Sequence, residues 1–247
     1  NLMTWSGLTH LWNHPDIDFP VGSQTYHPDF FAAIFGAYLA LGGLFRRMAT
    51  GHGCYIEAPE GEMGASSLGG FYMQYMKNKQ EPQPIGNKST HMAPHGIYKC
   101  KGKDKWVSIA VRNDKDWQGF CKAINQKGWA KEPGLSTVSG RLKEQNKLDS
   151  KIQSWTKKQS QTEVTEILQS YGVPAGEVMG PKELLEDAHT NHRKFWTKTE
   201  HPLMKPIRME GQPIGLSRTP WQLRLPPFMI GEHTEEILRD LLAIDES

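Results

Sequence analysis

Between Asp29 and Arg46 the chain runs sixteen residues without a charge, Phe30 to Phe45, and no other stretch constrains its folding as strongly. Phe31, Ile34, Phe35, Tyr38, Leu41 and Leu44 recur at helical spacing, which predicts one helix from about Asp29 to Met48. Pro28 and Asp29 mark its start, and Arg46 and Arg47 fall in the last turn, where cations complement the carbonyl end of the dipole. Gly51 and Gly53 supply the exit. At ~1.5 Å per residue the uncharged run is shorter than a ~30 Å hydrocarbon core. Gly36, Gly42 and Gly43 interrupt it, and the mean hydropathy of the whole chain is −0.59. The expectation is a buried core helix in a protein that does not enter a membrane.

The remaining composition is that of a soluble globular chain. Its 247 residues are 37% hydrophobic and 23% charged, which allows one large domain or two modest ones. A net charge of +2 from 29 basic and 27 acidic residues gives no basic face for nucleic acid. Lys99, Lys101, Lys103 and Lys105 alternate at strand period and decorate a solvated edge. Three cysteines without a C-x-x-C pair point to a reducing, cytoplasmic setting. Residue 1 is asparagine and no signal core follows, so the chain is expected to be part of a longer polypeptide.

Along the chain, Cys54–Ala58 reads as a short strand stopped by Pro59, and Glu62–Met76 as a second, glycine-loosened helix. Polar, proline-bearing residues 77–90 read as a domain linker. Strands are expected at Gly96–Lys101 and Lys105–Val111 around a Gly102–Asp104 turn, followed by a helix opening at Asp114 or Asp116. Further helices are expected at Leu142–Lys157, at Thr162–Tyr171 with Thr162 as cap, over residues 181–194, and at Glu232–Leu242. Residues 195–230, rich in proline, read as irregular or β-rich.

Several chemical motifs fail on their surroundings. Gly86-Asn87-Lys88-Ser89 imitates the end of a phosphate loop, but its leading glycine and preceding strand are missing. His-Pro-Asp at 14–16 and 27–29 is turn chemistry. His189 and His192 share a helical face without a third ligand, so no metal site is assigned. No G-x-S-x-G nucleophile elbow is present. Residue chemistry alone names no reaction.

Four collinear blocks do. They are Ser6-Gly7-Leu8 with His14-Pro15-Asp16, Phe19-Pro20 and Asp29; Arg46-Arg47 with Thr50-Gly51-His52-Gly53-Cys54-Tyr55-Ile56-Glu57; Ala93-Pro94-His95-Gly96-Ile97-Tyr98 with Lys105–Val111, Asp116-Trp117 and Phe120-Cys121; and Gly172-Val173-Pro174-Ala175-Gly176 with Asp187, His189, Pro213–Pro220 and Gly231–Thr234. Together they resemble the family III CoA-transferases, the CaiB/BaiF-like group that includes formyl-CoA and carnitine CoA-transferases.

That resemblance implies an α/β fold: the C-terminal part of a Rossmann-like large domain (1–76), a linker and small α+β domain (77–190), and a return segment packing on the large domain (191–247). It also implies interlocked dimers. The family's nucleophile is an aspartate, and an ungapped match places it just ahead of Asn1, so the isolated segment is expected to be inactive. Coenzyme A thioesters would be substrates, with a carboxylic acid as acceptor and no permanently bound cofactor. The chain would pair with itself or with an aspartate-bearing partner, and would bind neither nucleic acid nor membrane. Pro94, His95 and Gly96 fall in the family's mobile-loop region and read either as walls of the substrate pocket or as a strand-entry turn without substrate contact. A related branch, the 2-methylacyl-CoA racemases, carries a glutamate where this chain has Asn113. An amide does not exchange protons near neutrality, which lowers that alternative. A non-catalytic subunit of a two-chain transferase is the third.

Overall fold

The structure, a computed structural model, describes residues 2–21, 25–242 and 244; Asn1 lies outside them. The chain divides into two compact units, 1–178 and 179–247.

The first unit opens with two short helices, α1 (Leu2–Trp5) and α2 (Leu8–Leu11), turned by Gly7 at φ 85°. The long helix α3 follows as His27–Thr50 and stops at Gly51, whose φ of 75° is the left-handed exit expected of glycine there. Its 24 residues span ~36 Å, and by length and composition alone it is long and apolar enough to cross a bilayer. The expected burial is corrected by the structure: Ile34, Tyr38, Leu41, Leu44 and Phe45 are all exposed, and only Pro28 is buried. Within this unit α3 packs chiefly on α4 (Glu60–Ser66), which leaves the rest of its apolar surface uncovered.

Cys54–Ala58 carries no strand and joins no sheet, because a strand exists only where a neighbour takes its backbone hydrogen bonds. The single helix expected over Glu62–Met76 is two, α4 and α5 (Gly69–Asn78), broken at Ser67 and Leu68. Residues 79–94 carry no helix or strand.

The principal core lies beyond residue 94. Strands β1 (His95–Lys99), β2 (Trp106–Ala110) and β3 (Ala175–Glu177) form an antiparallel sheet in that order. Four helices accompany it: α6 (Asp114–Ala123), α7 (Val138–Lys143), α8 (Gln145–Thr156) and α9 (Gln161–Ser170). Val107, Ile109, Trp117, Phe120, Ile152 and Leu168 are buried together at the centre. The expected 142–157 helix is interrupted at Glu144, and the expected cap Thr162 is replaced by Ser160, which forms a reciprocal capping box with Glu163.

One edge of the sheet is sealed by side chains. Strand β1 pairs only with β2, so its outer backbone groups need partners. Helix α8 supplies them: Gln145 donates to the His95 carbonyl, Gln153 donates to the Lys99 carbonyl and accepts from the Lys99 amide, and Thr156 donates to the Lys99 carbonyl at 2.8 Å. These positions lie eight and three residues apart, spacings that keep side chains on one helical face.

In the second unit, the helix expected over 181–194 is two: α10 (Pro181–Glu186) and α11 (Ala188–His192), separated by extended Asp187, which caps α11. A hairpin of β4 (Trp196–His201) and β5 (Met204–Glu210) turns at Pro202 and Leu203. The expected final helix is reduced to α12 (Thr234–Glu236) and a wider π-type turn at Ile237–Leu241.

Candidate functional site

The start of β1 forms one wall of a cleft of about 390 Å³ in the first unit. His95 and Gly96 line it together with His14, Asp16, Lys88 and Asp149. Gly86 sits at φ 59° in the adjoining turn, and a Cβ there would lie 2.7 Å from the His14 ring. The missing side chain thus lets the linker close onto the residue 13–16 turn, where the Gly86 amide donates to the Asn13 carbonyl.

Of the three residues singled out from the sequence, the structure brings two to this cleft. His95 Nδ1 is 2.8 Å from the Asn87 carbonyl, so Nδ1 carries the hydrogen and Nε2 is the acceptor of the neutral ring. Gly96 keeps space beside Tyr98, whose hydroxyl would stand 3.2 Å from an added Cβ. Pro94 lies outside the lining; it is buried, and its carbonyl accepts from the Val111 amide at 2.9 Å, the role of a strand-entry residue.

Sequence reasoning missed the polar pair deeper in the wall. Tyr98, 3% exposed, donates its hydroxyl to Asp149 at 2.7 Å. Burial pushes the Asp149 carboxyl up, opposed by that hydrogen bond and by the positive charge of Lys88. Burial, reinforced by the Asp149 charge, holds the Tyr98 phenol far above its ordinary range. Asp149 lies on α8, 51 residues from Tyr98, so no signal in the sequence marked it as Tyr98's partner. The cleft therefore offers the imidazoles of His14 and His95, the Lys88 ammonium bonded to Asn146 Oδ1 at 2.6 Å, and a carboxylate with a fixed donor.

Asn113, at the position of the racemase glutamate, is occupied as the N-cap of α6: its side-chain oxygen accepts from the Asp116 amide at 2.9 Å. That use and its chemistry both disfavour proton abstraction.

A second feature is the entry to α3. Pro28 packs where Gly64 leaves room, beside Ser6, and His27 stacks on Trp12 with centroids 4.6 Å apart. These contacts fix the first helical turn and leave Asp29, its one acidic residue, exposed. The positive end of the dipole favours an anion there.

Comparison with known proteins gives a consistent picture. The family model for CoA-transferase family III matches residues 1–234. The chain is 25% identical over 250 residues to a probable CoA-transferase, Rv1866, of Mycobacterium tuberculosis, covering 97% of this chain and 31% of that protein. It is 33% identical over 165 residues to formyl-CoA:oxalate CoA-transferase of Rhodopseudomonas palustris, covering 66% and 39%. A CAIB/BAIF family protein from Brucella suis superposes with a TM-score of 0.84 at 21% identity, over 97% of this chain and 61% of that one, which shows a shared fold. The chain spans about a third of the length of these two curated relatives.

Proposed function

The chain belongs to CoA-transferase family III, and from that premise we propose that the protein containing it moves coenzyme A between an acyl thioester and a carboxylic acid. An aspartate oxygen attacks the thioester carbonyl, forming a mixed anhydride and expelling CoA thiolate. The thiolate attacks the aspartyl carbon, releasing the donor acid and leaving an enzyme thioester. The acceptor carboxylate repeats the exchange: it displaces the thiolate, which then takes the new acyl group and restores the aspartate. Splitting the transfer this way replaces one difficult displacement with several easier ones. The observation that carries the site assignment is the cleft at the start of β1, where His95 and Gly96 meet Lys88 and Asp149. The Lys88 ammonium is suited to an anionic acyl or acceptor group.

Two placements of the nucleophile follow. One is the aspartate expected just ahead of Asn1. The other is Asp29, which closes the first family-like block and stands exposed on a turn fixed by Pro28 and His27. That geometry favours Asp29. The domain plan belongs to the same proposal: residues 1–76 in a large domain, 77–190 as linker and small domain, 191–247 as return segment, with two chains per assembly in a reducing compartment.

The test is intact mass of the full-length protein mixed with formyl-CoA and, separately, succinyl-CoA, followed by peptide mapping. A covalent adduct on the peptide bearing Asp29, lost in Asp29→Asn, supports the favoured placement. An adduct on a peptide ahead of residue 1 moves the nucleophile there. No adduct with any thioester, alongside co-purification of an aspartate-bearing second chain, supports the non-catalytic subunit instead.

A further inference from the structure

Arg141 is fully buried, yet it belongs to the six-residue helix α7 and touches no residue of the cleft directly. Each of its three guanidinium nitrogens has an acceptor. Nε donates to the Ala93 carbonyl at 2.8 Å, one terminal nitrogen donates to the Leu135 carbonyl at 3.1 Å, and the other donates to Asp114 Oδ1 at 3.0 Å. The plane lies 5.1 Å from the centroid of Trp117. A buried cation is expensive unless each donor meets an acceptor, and here carbonyls of two separate loops converge on it.

The Leu135 segment meets α7 through a close backbone approach. A Cβ on Gly140 would lie 2.2 Å from the Gly134 carbonyl oxygen, so only glycine lets α7 settle against the segment that offers Leu135. Thr137 caps the helix by accepting from the Gly140 amide.

Consecutive carbonyls leading into the start of β1 are each held by a different partner. Ala93 is held by Arg141, Pro94 by the Val111 amide, and His95 by Gln145. The His95 ring is tied in turn to Asn87. Arg141 grips the first link of this series from inside the core, where solvent cannot substitute for it.

We propose that Arg141 is a positioning residue: through the Ala93 carbonyl it fixes where His95 and Gly96 enter the cleft, and so orients the substrate-binding wall without touching substrate. This rests on the reading of the cleft as the acyl-transfer site.

The experiment uses the full-length protein with Arg141→Lys, His95→Gln, their double variant, and Asp114→Asn, which removes only the charge of the solvent-facing tie. Hydrogen–deuterium exchange is followed by mass spectrometry, and the His95 ring resonance is followed by NMR. Initial rates are measured with formyl-CoA and oxalate as probes. In Arg141→Lys, peptides spanning 87–97 should exchange at least tenfold faster while those spanning 160–178 stay unchanged, and the His95 resonance should move; Asp114→Asn should show neither. Turnover should fall about tenfold in Arg141→Lys, and the double variant should fall no further than His95→Gln. Uniformly faster exchange over 93–178, an unmoved His95 resonance, or additive rate losses overturn the proposal. Should Arg141→Lys not fold, Arg141→Met removes the buried charge and carries the same comparison. A wild-type protein inactive with every thioester tried counts against the transferase reading, while the exchange and resonance results still decide the role of Arg141.

Discussion

The Tyr98 hydroxyl donates to Asp149 at 2.7 Å, joining β1 to α8 through a polar contact inside the wall of the candidate cleft. Tyr98→Phe would leave the half-buried carboxylate without that donor. An unsatisfied buried acceptor costs ~1–3 kcal/mol, and loss of that size is expected at pH 7 by urea denaturation. The sign of the pH dependence follows from burial, which raises the Asp149 carboxyl in the folded state. A raised acid favours the fold when protonated and penalises it once ionised, so the penalty in Tyr98→Phe should shrink as pH falls towards 4.

Asp116 behaves in the opposite sense. The Arg112 side chain donates to it at 2.7 Å, and this bond is the main cause of a carboxyl held below its usual range, outweighing burial. A depressed acid contributes stability above its unfolded value near 4 and loses it as pH drops through the folded value. Arg112→Gln should therefore lower the thermal midpoint at pH 7, with the gap from wild type closing in acid.

Gly119→Ala and Gly140→Ala test two backbone approaches. The added Cβ would sit 2.5 Å from the Tyr171 carbonyl oxygen in the first and 2.2 Å from that of Gly134 in the second. Because the obstacle is main chain, neither clash is relieved by a rotamer change. Each variant is expected to lose ~1–3 kcal/mol in chemical denaturation.

Two of the three thiols should resist alkylation. Burial raises the Cys100 thiol and pushes that of Cys121 up to about 12. Since the thiolate is the reactive form, iodoacetamide at pH 8 should label exposed Cys54 well before either. Peptide mapping of the native protein checks this; rapid labelling of Cys121 would contradict the packing around Trp117 and Phe120.

What the sequence made legible depended on whether the signal was local. The Gly102–Asp104 turn, the strands on either side and the α6 helix all follow from neighbouring residues, and the structure places them within a residue or two. Helix breaks at Glu144 and Asp187 were not visible, because neither residue is a strong breaker and tertiary packing decides whether a turn continues. Tyr98 with Asp149, and Arg141 with Ala93, are separated by 51 and 48 positions, beyond the reach of any periodicity. For α3 the pattern correctly gave a helix but not its surroundings: an apolar stripe says that a face wants cover, not that these residues provide it.

That last feature bears on the order of assembly. The principal core is built entirely from residues 98–173, so it can collapse once that later stretch has been made, with no help from α3. As the ribosome extends the chain, the long apolar rod emerges ahead of this core, which takes no residue from it. It is therefore the segment on which holding chaperones should act, and on which misassembly should begin when they are scarce.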